Sequence, residues 1–276
     1  MSSSSNKDDI IQNKIPVTTS NIYSDKNSLI ILFQFIFGVL VVMAVNYPIM
    51  KPIVDAIQNN NFNGWILLLF MPFGIYGNLW LFTFSIAVLT WIIIKILKWI
   101  HPIQQGVFSL DSAEFRFYKR RYWASYFALW LARALPIPWV DYVVYSMLGN
   151  KVGSYVCLYD SVIDIELVEF GKSVMTSMNS NIMSHAIFQD KFVQLRTVLK
   201  DNSIVGAEAV VAPGTILGEE GILGAGCSSY IGQHLEGGVI HLGNPATKSI
   251  PQKLIINTDS DSSTVSQKEK IEEKEN

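Results

Sequence analysis

Four histidines stand in this chain, and His185 is the one placed to do chemistry. It ends the turn Asn181-Ile-Met-Ser-His185, just ahead of Phe188 to Val198, the long interruption of a six-residue repeat. A ring at that point can stand at a corner and face a cleft. An imidazole titrates near neutrality, so it can take the proton that a hydroxyl or amine loses when it attacks a carbonyl. Asp160, Asp164 and Glu166 are the candidate carboxylates to orient it, and the residues alone do not choose among them. His234 and His241 are weaker candidates. The histidines are far apart and no cysteine pair accompanies them, so no zinc-ligand spacing appears and no metal is expected. Cys157 and Cys227 fall at small-residue positions of the repeat and are expected as packing residues rather than a disulfide.

The element that must position His185 is the repeat itself. From Leu199 to Ser228 a period of six holds through Leu199-Lys-Asp-Asn-Ser-Ile204, Val205-Gly-Ala-Glu-Ala-Val210, Val211-Ala-Pro-Gly-Thr-Ile216, Leu217-Gly-Glu-Glu-Gly-Ile222 and Leu223-Gly-Ala-Gly-Cys-Ser228. Each hexad opens on an aliphatic residue, and its fifth position is small. No α-helix carries a strict period of six; short strands stacked as coils of a parallel β-helix do. The recurrent second-position glycine is expected to meet the geometry of a tight corner. Ile204, Val210, Ile216 and Ile222 share one hexad position and are expected to stack along a single wall. The period begins at Val152, runs irregularly to Ile187, and fades after Ser228 toward Gly243-Asn-Pro-Ala-Thr-Lys248. Phe188 to Val198 reads as a loop thrown out of the coil, of the kind that often forms a binding face.

Half the residues are hydrophobic, 16% are charged, and the mean hydropathy is +0.29, which fits a soluble part joined to a membrane part. A net charge of −2 leaves no nucleic-acid footprint. Residues 28–100 form the expected membrane region, with spans at about 28–47 and 78–98. Asn46 to Gly64, with Pro48 and Pro52, is read as the connection between them, and Pro72, Gly74 and Gly77 as a kink ahead of the second span. Lys95, Lys98, Lys119, Arg120 and Arg121 follow the second span, which puts the carboxy-terminal side in the cytoplasm and makes the chain a multi-pass protein of the cell membrane. Residues 101–148 are a juxtamembrane linker. Its helix, capped at Asp111 or Ser112 and stopped by Pro136, carries Phe115, Tyr118, Tyr122, Tyr126 and Trp130, rings that suit headgroup depth. Residues 149–253 are the repeat domain. The polar tails 1–27 and 254–276 are expected to be disordered.

Hexads, a His-bearing turn, a protruding loop, further hexads and then Gly243-Asn-Pro-Ala resemble the hexapeptide-repeat acyltransferases over about Val152 to Ile250. The resemblance implies a left-handed parallel β-helix, a homotrimer with sites between subunits, and acetyl-CoA or another acyl thioester as co-substrate. It implies the general-base role for His185, and donor binding near Gly206, Ala207, Gly224 and Ala225, with Lys248 meeting a phosphate. Ile94-Lys-Ile-Leu-Lys-Trp99, Phe115-Arg-Phe-Tyr-Lys-Arg-Arg-Tyr-Trp123, Leu148-Gly-Asn-Lys-Val-Gly-Ser-Tyr-Val156 and Leu167-Val-Glu-Phe-Gly171 are similar to the membrane-linked carboxy-terminal part of polylysine-synthetase-type nonribosomal peptide synthetases. The expected function is therefore membrane-anchored transfer of an acyl group to a hydroxyl or amine of a small-molecule or carrier-bound acceptor. A carrier-protein-dependent peptide-bond-forming module and a non-catalytic trimeric membrane scaffold are the alternatives.

Overall fold

The computed structural model describes residues 26–59, 64–135 and 140–252. Residues 1–25 and 253–276, which hold nearly all of both expected tails, lie outside the described residues. Two long helices come first, α1 (Leu29–Gln58) and α2 (Gly64–Ile100). Two 30-residue stretches, Lys26–Asp55 and Met71–Ile100, are long and apolar enough to cross a bilayer. The expected connection at Asn46 to Gly64 is mostly helix: α1 runs through Pro48 and Pro52 and ends only at Gln58. Likewise α2 runs through Pro72 without a break between an interfacial piece and a span. An interior proline removes one hydrogen bond, and an apolar helix tolerates that better than the loss of the rest of its ladder.

Polar side chains tie the helices together. Asn46 donates to Asn78 Oδ1 at 2.5 Å. Buried Gln34 donates at 2.8 Å both to Thr90 Oγ1 and to the carbonyl of Ala124 on α3 (Ala113–Ala134). Ser112 caps α3, its hydroxyl accepting from Phe115 N at 3.2 Å. The expected helix therefore forms, but its rings do not share one environment. Phe115 and Tyr118 are buried in one apolar cluster with Ile86 and Ile94 of α2, while Tyr126 and Trp130 remain exposed. Strand β1 (Gly106–Ser109) precedes α3, and α4 (Val140–Leu148) leads into the repeat.

Strands β2 (Lys151–Val152), β3 (Cys157–Leu158) and β4 (Val162–Ile163) make the first coil. The second consists of β5 (Val168–Phe170), β6 (Met175–Thr176) and β7 (Asn181–Ile182). A hairpin, β8 (His185–Phe188) and β9 (Lys191–Gln194), then leaves the coil. The expected loop is thus an ordered ribbon. It begins at His185 rather than Phe188, and β1 pairs antiparallel with β9 to complete a three-stranded sheet. The coil resumes with β10 (Thr197–Leu199), β11 (Ile204–Val205) and β12 (Val210–Val211). It continues through β13 (Ile216–Leu217) and β14 (Ile222–Leu223) to β15 (His234–Leu235) and β16 (Val239–Gly243). The antiparallel β17 (Ala246–Pro251) finishes it. Stacked strands pair in parallel on three faces: β2-β5-β10-β13-β15, β3-β6-β11-β14-β16 and β4-β7-β12. The third face is prolonged by a bridge from Val210 to Ser228.

Three faces change two expectations. Ile204 pairs with Ile222 on one wall, Ile216 with Val198 and His234 on another, and Val210 with Asn181 on the third. A hexad is one face, so the neighbour along a wall is three hexads away, not one. These residues are only part-buried, whereas Leu199, Val205, Val211, Leu217 and Leu223 fill the interior. The corner geometry also belongs to a different position. Asn202, Glu208, Gly214, Glu220 and Gly226, the fourth residue of each hexad, take positive φ. The second-position glycines meet a steric demand instead: a Cβ on Gly206 would lie 2.4 Å from Ala225 N in the next coil. Of the cysteines, Cys227 packs inside, but Cys157 is exposed because its strand turns that side outward.

Leu217→Ala is expected to cost about 2–5 kcal/mol through lost burial and a residual cavity. Ile216→Ala, one residue away on the outer surface, should cost much less. Paired denaturant melts of the two variants check the register, and equal losses would contradict it.

Candidate active site

The coil stacks Val162 on Asn181, and this register sets the corner after β4 above the corner after β7. Asp164 leaves the first corner and His185 the second. Asp164 Oδ2 accepts the backbone N–H of Ser184 at 2.7 Å and that of His185 at 2.9 Å, and faces His185 Nδ1 at 2.5 Å. Of the three candidate carboxylates, the structure brings Asp164 to the histidine. Asp160 is exposed, and Glu166 is buried in a different pairing.

Helix α3 completes the constellation from outside the coil. Tyr118 is fully buried; its hydroxyl lies 3.0 Å from Asp164 Oδ1 and 2.7 Å from His185 Nδ1. The phenol proton goes to Oδ1, and the Nδ1 proton goes to Oδ2, the closer carboxylate oxygen. That tautomer makes Nε2 the basic nitrogen of the ring. One turn further on, Arg121 clamps Glu166 through Nε at 2.8 Å and an Nη at 2.9 Å, with both side chains 1% exposed. Gln194 of the hairpin donates to the same carboxylate at 2.6 Å. Phe192 packs 5.0 Å from the rings of both Phe115 and Tyr118. Tyr118, Arg121 and Gln194 were missed by sequence reasoning. The aromatic and basic residues of α3 were legible, but Arg121 looks no different in sequence from exposed Arg116 and Arg120.

Burial alone would push the Asp164 carboxyl up. The facing His185 ring, the Ser184 N–H and the Tyr118 hydroxyl outweigh it and hold the group below the usual carboxylate range. Burial, followed by the neighbouring Asp164, pushes the Tyr118 phenol well above its ordinary value. Both shifts have consequences for stability. An unfolded Asp titrates near pH 3.9, so the Asp164 contribution is complete above that value and is lost as pH falls through the lower folded one. The Tyr118 contribution is complete below about pH 10 and is lost as pH rises through the higher folded value. Melting temperature is therefore expected to fall at both extremes, with Asp164→Asn flattening the acid limb and Tyr118→Phe the alkaline one. Unchanged limbs in both variants would contradict the assigned network.

His185 is 4% exposed and, with Asp164, ends a cavity of about 470 Å³ between α3 and the third face of the first two coils. The residues expected to hold a donor sit elsewhere. Gly206 and Ala207 lie at the corner between β11 and β12, with Gly224 and Ala225 directly beneath in the next coil, as the Gly206 approach to Ala225 requires. Lys248 is exposed on β17. Within one chain neither set lines the cavity that holds His185. His241 is also committed elsewhere, its Nε2 lying 2.9 Å from the carbonyl of Glu236.

The class this architecture defines is a three-faced parallel β-helix of hexad coils, joined to a pair of long apolar helices. No protein-family model matches the chain, and no curated protein matches it in sequence. Solved structures of similar shape include a maltose O-acetyltransferase from Clostridium difficile 630, at 13% identity and TM-score 0.43 over 53% of this chain and 92% of that one. They also include the hexapeptide-repeat acetyltransferase VCA0836 from Vibrio cholerae in complex with acetyl coenzyme A, at 14% identity and TM-score 0.40 over 52% of this chain and 93% of that one. A mutant of AntD, an N-acyltransferase from Bacillus cereus, is similar at 17% identity and TM-score 0.33 over 42% of this chain and 71% of that one. At these TM-scores none of them assigns a role to a residue here.

Proposed function

We propose that this chain is a membrane-anchored acyltransferase that moves an acyl group from a thioester, acyl-CoA or similar, to a hydroxyl or amine. The observation that carries the reading is the Asp164–His185 contact of 2.5 Å at the end of a cavity. The acceptor oxygen or nitrogen attacks the thioester carbonyl while His185 Nε2 takes its proton. Asp164 stabilises the imidazolium that results, and Tyr118 fixes the carboxylate in place. As the tetrahedral intermediate collapses, the carbon–sulfur bond breaks and His185 returns the proton to the leaving thiolate. The hydrophobic α1 and α2 are the anchor, with the β-helix on the cytoplasmic side. The coil assembles as a left-handed trimer, and the Gly206–Ala225 corner with Lys248 of a neighbouring subunit receives the donor.

Thiol release tests this reading. Full-length protein in lipid nanodiscs, given acetyl-CoA or a carrier-borne thioester and a panel of alcohols and amines, should liberate thiol only when an acceptor is present. Asp164→Asn should lower kcat with little change in donor KM. No acceptor-dependent thiol from any donor would overturn it.

A further inference from the structure

The cavity that ends at His185 has a second end. Tyr122, Tyr126, Trp130 and Arg133 lie along one stripe of α3 at steps of four, four and three, and all line it. At about 1.5 Å per residue, Arg133 stands about 16 Å along the helix from Tyr122, whose neighbour Tyr118 touches His185. Opposite the stripe, the coil contributes apolar Val162, 53% exposed, and Met183. Arg133 is exposed, and among the described residues no carboxylate pairs with it. It is nevertheless held in place, its Nη2 donating to Tyr145 Oη at 2.9 Å and to the Ser161 carbonyl. An oriented guanidinium favours a carboxylate or phosphate, and the aromatic and aliphatic stretch between it and His185 favours an apolar stem.

We infer that this cavity binds an elongated anionic amphiphile, with its carboxylate or phosphate at Arg133, its apolar stem along Tyr126, Trp130 and Val162, and a hydroxyl or amine at His185. The placement of the reactive end rests on the acyl-transfer reading; the binding itself rests on the cavity. The aromatic wall also meets the apolar helices. Trp130 stacks on Phe127 at 6.3 Å, and Phe127 packs against Phe82 of α2 at 6.2 Å. A ligand of this kind can therefore arrive from the bilayer or from solution.

The test is calorimetric titration of 12-hydroxydodecanoate into full-length His185→Gln protein in neutral-lipid nanodiscs, with empty discs as the blank. Saturable binding is expected. Arg133→Gln should weaken it roughly tenfold while leaving binding of neutral 1-dodecanol unchanged, and Arg133→Lys should recover part of the loss. Val162→Glu, at an exposed position that does not threaten the fold, should weaken binding by setting a like charge beside the stem. Competition from an anionic lipid in the disc marks the bilayer as the source, and its absence marks a soluble ligand. No binding above empty discs, or equal binding by the wild-type, Arg133→Gln and Val162→Glu proteins, overturns the inference. Because His185→Gln needs no turnover, binding without activity in the wild type would topple the acyl-transfer reading alone. Turnover without saturable binding would topple this inference alone.

Discussion

His185→Ala is expected to lower kcat/KM for acyl transfer about 10²–10⁴-fold, the usual contribution of a positioned general base. The variant also strips one partner from buried Asp164, whose carboxylate keeps the Ser184 and His185 backbone N–H groups and the Tyr118 hydroxyl. Stability should therefore fall by only about 1–3 kcal/mol, and the activity loss must be expressed per folded molecule. The pH profile of kcat/KM for the native protein should rise as the His185 imidazole loses its proton, and the variant should lose that limb. A variant that melts early but keeps its activity per folded molecule would demote His185 to scaffolding.

The second large effect is on folding. Glu166→Ala should destabilise the protein by about 3–5 kcal/mol, because it leaves the Arg121 guanidinium buried without its counter-charge. One Nη of Arg121 already has no partner among the described residues, so the site has little reserve with which to satisfy the stranded cation. Converting both partners to apolar residues, Arg121→Met with Glu166→Leu, should recover most of the loss, since the desolvation cost of both ions disappears with them. Denaturant midpoints of the two single variants and the double variant form the cycle. A double variant as weak as the worse single would mean that packing, not a stranded charge, sets the cost. The pair matters beyond stability because, with Gln194, it joins α3, the first coil and the hairpin that carries His185.

The sequence exposes the coil because its information is local and repeated: an aliphatic residue every six positions can be read with no knowledge of what lies opposite. It points to His185 for the same reason, as the histidine of the turn just ahead of the break in the period. The identity of the opposing carboxylate is not local. Asp164 lies 21 residues from His185, and only the three-faced stacking shows that the two corners are superposed. The single-wall expectation for Ile204, Val210, Ile216 and Ile222 fails on the same ground, since the period gives the length of a face but not the number of faces. Tyr118 and Arg121 are further from view, reaching the site from a helix 67 and 45 residues away in sequence from their partners His185 and Glu166. In the sequence their helix is a row of rings and charges. Which of these turn inward depends on where the hairpin places Phe192 and Gln194. The prolines at 48, 52 and 72 mislead in the opposite direction, because a breaker in water is tolerated within a long apolar helix.

The proposed chemistry is acyl transfer with Asp164 and His185 as the base. Its most direct test follows a radiolabelled acetyl group from acetyl-CoA into an amine or hydroxyl acceptor on full-length protein in nanodiscs, with wild-type and His185→Ala preparations matched for folded fraction by melting. Label should enter the acceptor with the wild type, and at about a hundredth of that rate or less with the variant. Equal transfer by both preparations, or label left on the thioester by a fully folded wild type across the acceptor panel, would contradict it.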